Sequence, residues 1–286
     1  MKSLKVIRRF ILKNIAFQKE EQEEETFSEI LDGTYFKGYN LWILGCAMII
    51  ACIGLSTNNS GALVGAMLIS PLMGPIVGYA FSLAVNNREL KIKSIRNWVW
   101  MTVVSLFASV LFFLVTPFDR DTQALHSFEN ATIFDIFLAF FGGVAGFIGI
   151  VKKDGAKIIA GVAIATACMP PLCTVGYGLS QLNLSLFLGG LYFYLINCMF
   201  IGLGTFLMSK FAGYKALSSV NSLLNKFVWA FLITTMVLPG TYIAYKKWHE
   251  EKRKINEPSL EQKVLLLEKK VAKLDSILNK KNKTSK

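Results

Sequence analysis

The chain has 286 residues, 53% of them hydrophobic and 17% charged, with a mean hydropathy of +0.46. A soluble domain carries about a quarter charged residues; here the charges crowd into the two ends and a few short loops, which excludes a soluble enzyme. The formal charge of +12 does not point to nucleic acid, because Lys and Arg flank apolar runs, where lipid headgroups favour them, and form no single basic face.

At the N-terminus, Lys2, Lys5, Arg8, Arg9 and Lys13 interleave with Leu4, Ile7, Phe10, Ile11 and Ile15 at helical spacing. That pattern predicts a basic amphipathic helix on an anionic membrane face and no cleavable signal. An acidic linker, Glu20 to Glu25, follows it. Seven apolar runs come next: Tyr39–Ser56, Gly61–Val85, Asn97–Phe118, Thr132–Val151, Gly155–Leu182, Leu184–Ser209 and Phe227–Tyr245. Each is close to the ~20 residues a helix needs to cross a bilayer, and none shows a polar stripe.

The loops set the orientation. Arg88, Lys91, Lys93 and Arg96 follow the second run, Lys152, Lys153 and Lys157 the fourth, and Lys210, Lys215 and Lys226 the sixth. Thr57–Ser60, Asp119–Asn130 and the turn near Asn183 are neutral or mildly acidic. Basic and non-basic loops thus alternate through six spans and put the N-terminus in the cytoplasm. The seventh run either crosses, against the charge rule, or bends back at Pro239-Gly240; both readings stay open. Beyond it, Val264, Val271 and Leu278 fall at a positions and Leu260, Leu267 and Leu274 at d. Lys263–Glu268 and Lys270–Asp275 pair opposite charges, as a parallel homo-oligomeric coiled coil requires.

An internal repeat is the most informative feature. GAMLISPLMGPIVGYAFS from Gly65 resembles GVAIATACMPPLCTVGYGLS from Gly161. Gly65 pairs with Gly161, Met73 with Met169 and Pro75 with Pro171, each at an offset of 96. After two extra residues, Val77-Gly78-Tyr79 pairs with Val175-Gly176-Tyr177 and Ser82 with Ser180. Three spans separate the copies, an odd number, so the second enters the membrane in the opposite direction. The predicted fold is an all-α polytopic membrane protein with a 3+3 inverted-repeat core, Pro-broken helices, one further hydrophobic helix and a coiled-coil tail.

Each proline frees the carbonyl four residues back: Pro71 frees Met67, Pro75 frees Pro71, Pro170 frees Thr166 and Pro171 frees Ala167. In hydrocarbon such a carbonyl needs protein, water or a solute as partner. Ser70, Pro71, Gly74, Pro75, Thr166, Pro170, Pro171 and Asn197 are therefore the candidate solute- or ion-binding residues. The bland alternative is that these kinks serve only helix packing.

Ile53-Gly-Leu-Ser-Thr-Asn-Asn, Gly65-Ala-Met-Leu-Ile-Ser-Pro-Leu-Met-Gly-Pro-Ile, Gly161-Val-Ala-Ile-Ala, Met169-Pro-Pro-Leu and Asn197 resemble the prokaryotic DUF389 family of hydrophobic membrane proteins. The resemblance covers about Asn40 to Ser209. It implies a prokaryotic inner membrane protein and supplies no substrate.

No GxxxxGK[ST], HExxH, CxxC or GxSxG motif occurs. The five cysteines, Cys46, Cys52, Cys168, Cys173 and Cys198, lie inside apolar segments and read as small apolar filler, with no metal site and no cofactor expected. In the six core spans Asp135, at an outer end, is the one carboxylate and there is no histidine, which argues against proton coupling. The expected organisation is residues 1–38, amphipathic helix and acidic linker; 39–118, first repeat; 119–210, second repeat; 211–248, linker and seventh helix; and 249–286, coiled-coil tail. The expected function is a small-solute or ion transporter or channel with a midplane site between the repeats. The alternative is a non-transporting scaffold or sensor whose interaction arms are the N-terminal helix and the tail.

Overall fold

The computed structural model describes residues 22–35, 38–116, 122–151 and 156–214, with only the backbone of 22, 23 and 156–167. The basic N-terminal helix, the seventh hydrophobic run Phe227–Tyr245 and the coiled-coil tail lie outside the described residues.

Within those residues every regular element is a helix. In chain order they are α1 (Gln22–Thr34), α2 (Tyr39–Ser56), α3 (Ser60–Ile69), α4 (Met73–Val85), α5 (Arg88–Val115), α6 (Gln123–His126), α7 (Ile133–Val151), α8 (Ala156–Ser180) and α9 (Leu184–Phe211). By length and composition α2, α5, α7 and α9 are each able to cross a membrane, and α3 with α4 form a fifth span bent by 52°.

Asparagine sets the tight corners. At Asn58-Asn59, Asn86-Asn87 and Leu182-Asn183 the first residue takes a φ of 52°, 54° or 53° and so ends the preceding helix. The second caps the next helix: Asn59 Oδ1 accepts from Ala62 N, Asn87 Oδ1 from Leu90 N, and Asn183 Oδ1 from Ser185 N and Leu186 N. Each capping asparagine also donates its own N–H five residues back, to Gly54 O, Ser82 O and Gly178 O at 2.8, 3.0 and 2.8 Å. Connections this short make α2–α3, α4–α5 and α8–α9 antiparallel neighbours.

The second corner corrects the expected basic loop. Because Asn87 starts α5 at once, Arg88, Lys91, Lys93 and Arg96 lie on its first turns. At 28 residues α5 is ~42 Å long, well beyond the ~30 Å hydrocarbon core, so these charges project past it.

The acidic linker is also corrected: residues 22–34 are α1, which packs on α4, α5 and α7. Its buried Ile30, with Phe27 and Leu31, joins Phe81, Val85, Leu90 and Phe147 in a small apolar cluster, while acidic residues such as Glu24 and Asp32 stay exposed.

The main core lies where α2, α5, α7 and α9 surround α8. α7 and α9 approach backbone to backbone, Gly143 meeting Ile201 O and Gly204 meeting Phe140 O, with no room for a Cβ on either. On α2, Leu44, Ala47, Met48, Ala51, Cys52 and Leu55 face inward at helical spacing, whereas Trp42, Ile49, Ile50 and Ile53 face out. That outward apolar surface is what a lipid-facing helix presents and a soluble one would not.

The loop expected outside after the third span is built into the structure. Thr122 Oγ1 donates to Leu55 O at 2.8 Å, Thr174 Oγ1 donates to Leu125 O at 3.1 Å, and Leu125 is fully buried. Asp135 has a local role: its Oδ2 accepts from Thr132 N and Thr132 Oγ1 at 2.8 and 2.5 Å, a reciprocal cap at the start of α7.

Candidate functional site

The first proline pair breaks its span. Ser70 ends α3 with extended backbone, φ −76° and ψ 128°, the conformation imposed on a residue that precedes proline. Pro71 and Leu72 form the break, and Pro75 lies in the first turn of α4, where a missing N–H leaves no internal bond unmade. Pro71 therefore makes the interruption and Pro75 does not.

The two freed carbonyls of this copy find local partners. Met67 O accepts from Ser70 N at 3.3 Å, and Pro71 O accepts from Gly74 N at 3.4 Å. Ser70 Oγ accepts from Leu72 N at 3.4 Å and is half-buried. The hydroxyl thus bonds within its own segment.

The end of α1 closes over the break. Gly33 O lies so near the Cα of Gly74 that no Cβ would fit there, and Thr34 Oγ1 takes the corresponding space at Gly78 beside Ser94 Oγ. Asn97 Nδ2, on α5, donates to Thr34 O at 2.7 Å, and Thr34 Oγ1 donates to Ile30 O at 2.7 Å. Both side chains are buried. Residues 33 and 34 carry no motif, so nothing in the sequence pointed to them.

The second proline pair departs from expectation. α8 runs unbroken from Ala156 to Ser180 with Pro170 and Pro171 inside it. Thr174 Oγ1 reaches Pro170 O at 3.3 Å, and every residue from Cys168 to Gly178 is buried. The helix is held on all sides by α2, α3, α5, α7 and α9, which maintains its path although two backbone donors are missing. Thr166 lies in α8, and its side chain is outside the described residues.

Asn197 is buried on α9, 1% exposed. One turn earlier Tyr194 forms a hydrogen-bonded group with α5: Trp98 Nε1 donates to Tyr194 Oη at 2.8 Å, and Thr102 Oγ1 lies 2.6 Å from the same oxygen. The Trp98 and Tyr194 rings stack with centroids 6.3 Å apart. Sequence reasoning missed this group; Trp98 and Tyr194 are separated by 96, as are Gly65 and Gly161 and the capping residues Asn87 and Asn183. The described contacts do not bring Ser70 and Asn197 into direct touch.

Among the described residues every regular element is a helix, and four apolar helices of spanning length with a fifth, bent span fit the class of multi-pass membrane proteins. Comparison with known proteins finds a similarity: residues 67–203 match the family model described as "Domain of unknown function (DUF389)". An uncharacterized protein of Methanocaldococcus jannaschii is 27% identical over 190 residues, covering 65% of this chain. The aligned part spans 59% of that relative's length. No solved structure matches the chain.

Proposed function

We propose that this protein is a small-solute or ion transporter or channel, with its N-terminus in the cytoplasm and its site near the bilayer midplane between two inverted repeats. The repeats are α2 to α5 and α7 to α9. The observation that carries this reading is reciprocal packing: α5 of the first repeat rests on α8 of the second, and α9 of the second rests on α4 of the first. Within each repeat the pairings also correspond, α2·α3 to α7·α8, α4·α5 to α8·α9 and α2·α5 to α7·α9.

Two details support a two-fold relation. Residues on such an axis touch their own equivalents, and Trp98 bonds to Tyr194 at the repeat offset of 96. The corners Asn86-Asn87 and Leu182-Asn183 share that offset and one geometry, and Ser82 Oγ and Ser180 Oγ donate alike to Tyr79 O and Tyr177 O. Secondary carriers build midplane sites at such repeat interfaces from discontinuous helices, whose ends offer free backbone groups and dipole charge. The Ser70–Leu72 break between α3 and α4 provides those ends. The candidate residues keep their roles as lining: Ser70, Pro71, Gly74 and Pro75 from one copy, Thr166, Pro170 and Pro171 from the other, with Asn197 beside Tyr194. Through the tail's heptads two copies pair in parallel, each in the lipid bilayer.

The test is purified full-length protein screened by thermal shift against inorganic ions and small metabolites, then by flux in proteoliposomes. A ligand that raises the melting temperature, with matching flux that Pro71→Ala abolishes, is the expected result. Absence of any flux or ligand-dependent stabilisation across the screen would overturn the transport reading. Labelling of introduced cysteines at Arg88–Arg96 and Lys152–Lys157 from opposite sides would overturn the inverted repeat.

A further inference from the structure

The five cysteines do not behave alike. Cys46 is exposed, and the other four are buried. Cys52 and Cys173, 121 positions apart in sequence, bring their sulfurs to 3.5 Å where α2 meets α8. Met48, one turn before Cys52 and on the same face of α2, lies with its Sδ 3.4 Å from Cys173 Sγ. All three side chains are fully buried. The oxygen beside them is the Ser109 hydroxyl, 3.4 Å from Cys52 Sγ, and it donates to Cys173 O at 3.3 Å.

We propose that Met48, Cys52 and Cys173 form a three-sulfur binding site for a soft monovalent cation of the copper(I) class, in the core between α2 and α8. Thiolate and thioether donors select such ions, whereas hard cations such as Mg²⁺ or Ca²⁺ need cages of oxygen ligands. Cys173 Sγ, from α8, touches two sulfurs that α2 presents one turn apart, which places three soft donors side by side in the core. With metal–sulfur bonds of about 2.3 Å, a trigonal ion holds its ligands ~4 Å apart. The observed separations of 3.4 and 3.5 Å therefore open by roughly half an ångström on binding, which the three rotatable bonds of Met48 accommodate.

Charge decides the protonation state. If Cys173, the sulfur in contact with both others, gives up its proton to solvent, a sulfur–metal bond replaces its S–H bond. Thiolate, thiol, thioether and monovalent ion then sum to zero, and a neutral complex avoids the heavy cost of a net charge in the apolar core. No electron is transferred. Among the described residues no group of three or more His, Cys, Asp and Glu could hold a metal, so a site here requires the Met48 thioether as its third donor. The proposal does not depend on transport, because a fixed structural ion would use the same ligands.

The experiment uses Ag(I), a redox-inert probe of this class, added to full-length protein in nanodiscs under anaerobic, thiol-free conditions. Cys46→Ser removes the exposed thiol from the background. One tightly bound Ag(I) per chain is expected, with a sulfur-only shell by X-ray absorption and release of one proton. Cys173→Ser should abolish that binding. Met48→Leu, which conserves volume, should weaken it by about tenfold or more, comparable to loss of one supporting interaction at a metal site, with the melting temperature of the ion-free protein unchanged. Three results would overturn the site: no Ag(I) retained by the Cys46→Ser protein, binding unaltered by both Cys173→Ser and Met48→Leu (an ion at Cys168 and Cys198 instead), or a Cys52–Cys173 disulfide in protein purified under reductant.

Discussion

The two proline motifs begin from similar sequence and reach different structures. Ser70-Pro71 breaks its span and turns it by 52°, whereas Pro170-Pro171 sits inside a continuous helix. The difference lies in the surroundings. α3 is peripheral, with Val64, Leu68 and Ile69 exposed, so nothing holds the chain straight once the Pro71 N–H is missing. α8 is enclosed by five other helices, and leaving its helical path would disrupt packing on every side. The same covalent defect is thus expressed where packing is thin and suppressed where it is dense.

That contrast can be broken most sharply at α8 itself. A Cβ at Gly178 would meet the backbone of Leu186 and Phe187 on α9, groups with no freedom to yield. Gly178→Ala should cost about 3 kcal/mol, the upper range for overpacking, or prevent folding, read as a lower melting temperature in detergent. Gly65→Ala, the equivalent change on peripheral α3, finds no atom within 4 Å. It should leave stability unchanged or raise it by up to ~1 kcal/mol through helix propensity. If the two changes cost the same, dense packing around α8 is not what distinguishes the copies.

Pro71→Ala should come next in size. Allowing helix through 70–72 would swing Gly74 and Gly78 away from Gly33 and Thr34. A net loss of about 1–2 kcal/mol is expected, within the usual range for single changes, with faster proteolysis in α1. Pro171→Ala, by contrast, should shift the melting temperature little, because α8 is already helical there and only a hydrogen bond of about 1 kcal/mol is restored. Equal effects at Pro71 and Pro171 would mean that the break is no more than a kink.

The smallest expected effect is at the closure over the break. Asn97→Leu removes the donor to Thr34 O, and one such bond contributes roughly 1 kcal/mol, partly offset by the apolar replacement. Global stability should fall by less than that. Hydrogen exchange in the last turn of α1 should nevertheless rise clearly, since local opening needs only that contact to fail.

Much of the architecture was written locally. α2 was read residue for residue as Tyr39–Ser56, and the ends of α7, α8 and α9 fell within two residues of the expected spans. Uncharged apolar runs have one way to satisfy their backbone in lipid, so their identity as helices needs no tertiary information. At the candidate site the proline pattern predicts carbonyls that await a solute, whereas in the structure Met67 O and Pro71 O accept from neighbouring N–H groups.

The sequence by itself determined that the apolar segments form helices of membrane-spanning length, because hydropathy, proline and asparagine act over a few residues. Only the tertiary structure decided which proline motif breaks its helix, that residues 22–34 form a helix closing one side of the break, and that Cys173 meets Met48 and Cys52. Each of those outcomes depends on how densely distant segments pack around a given point, and no local pattern of residues encodes that density.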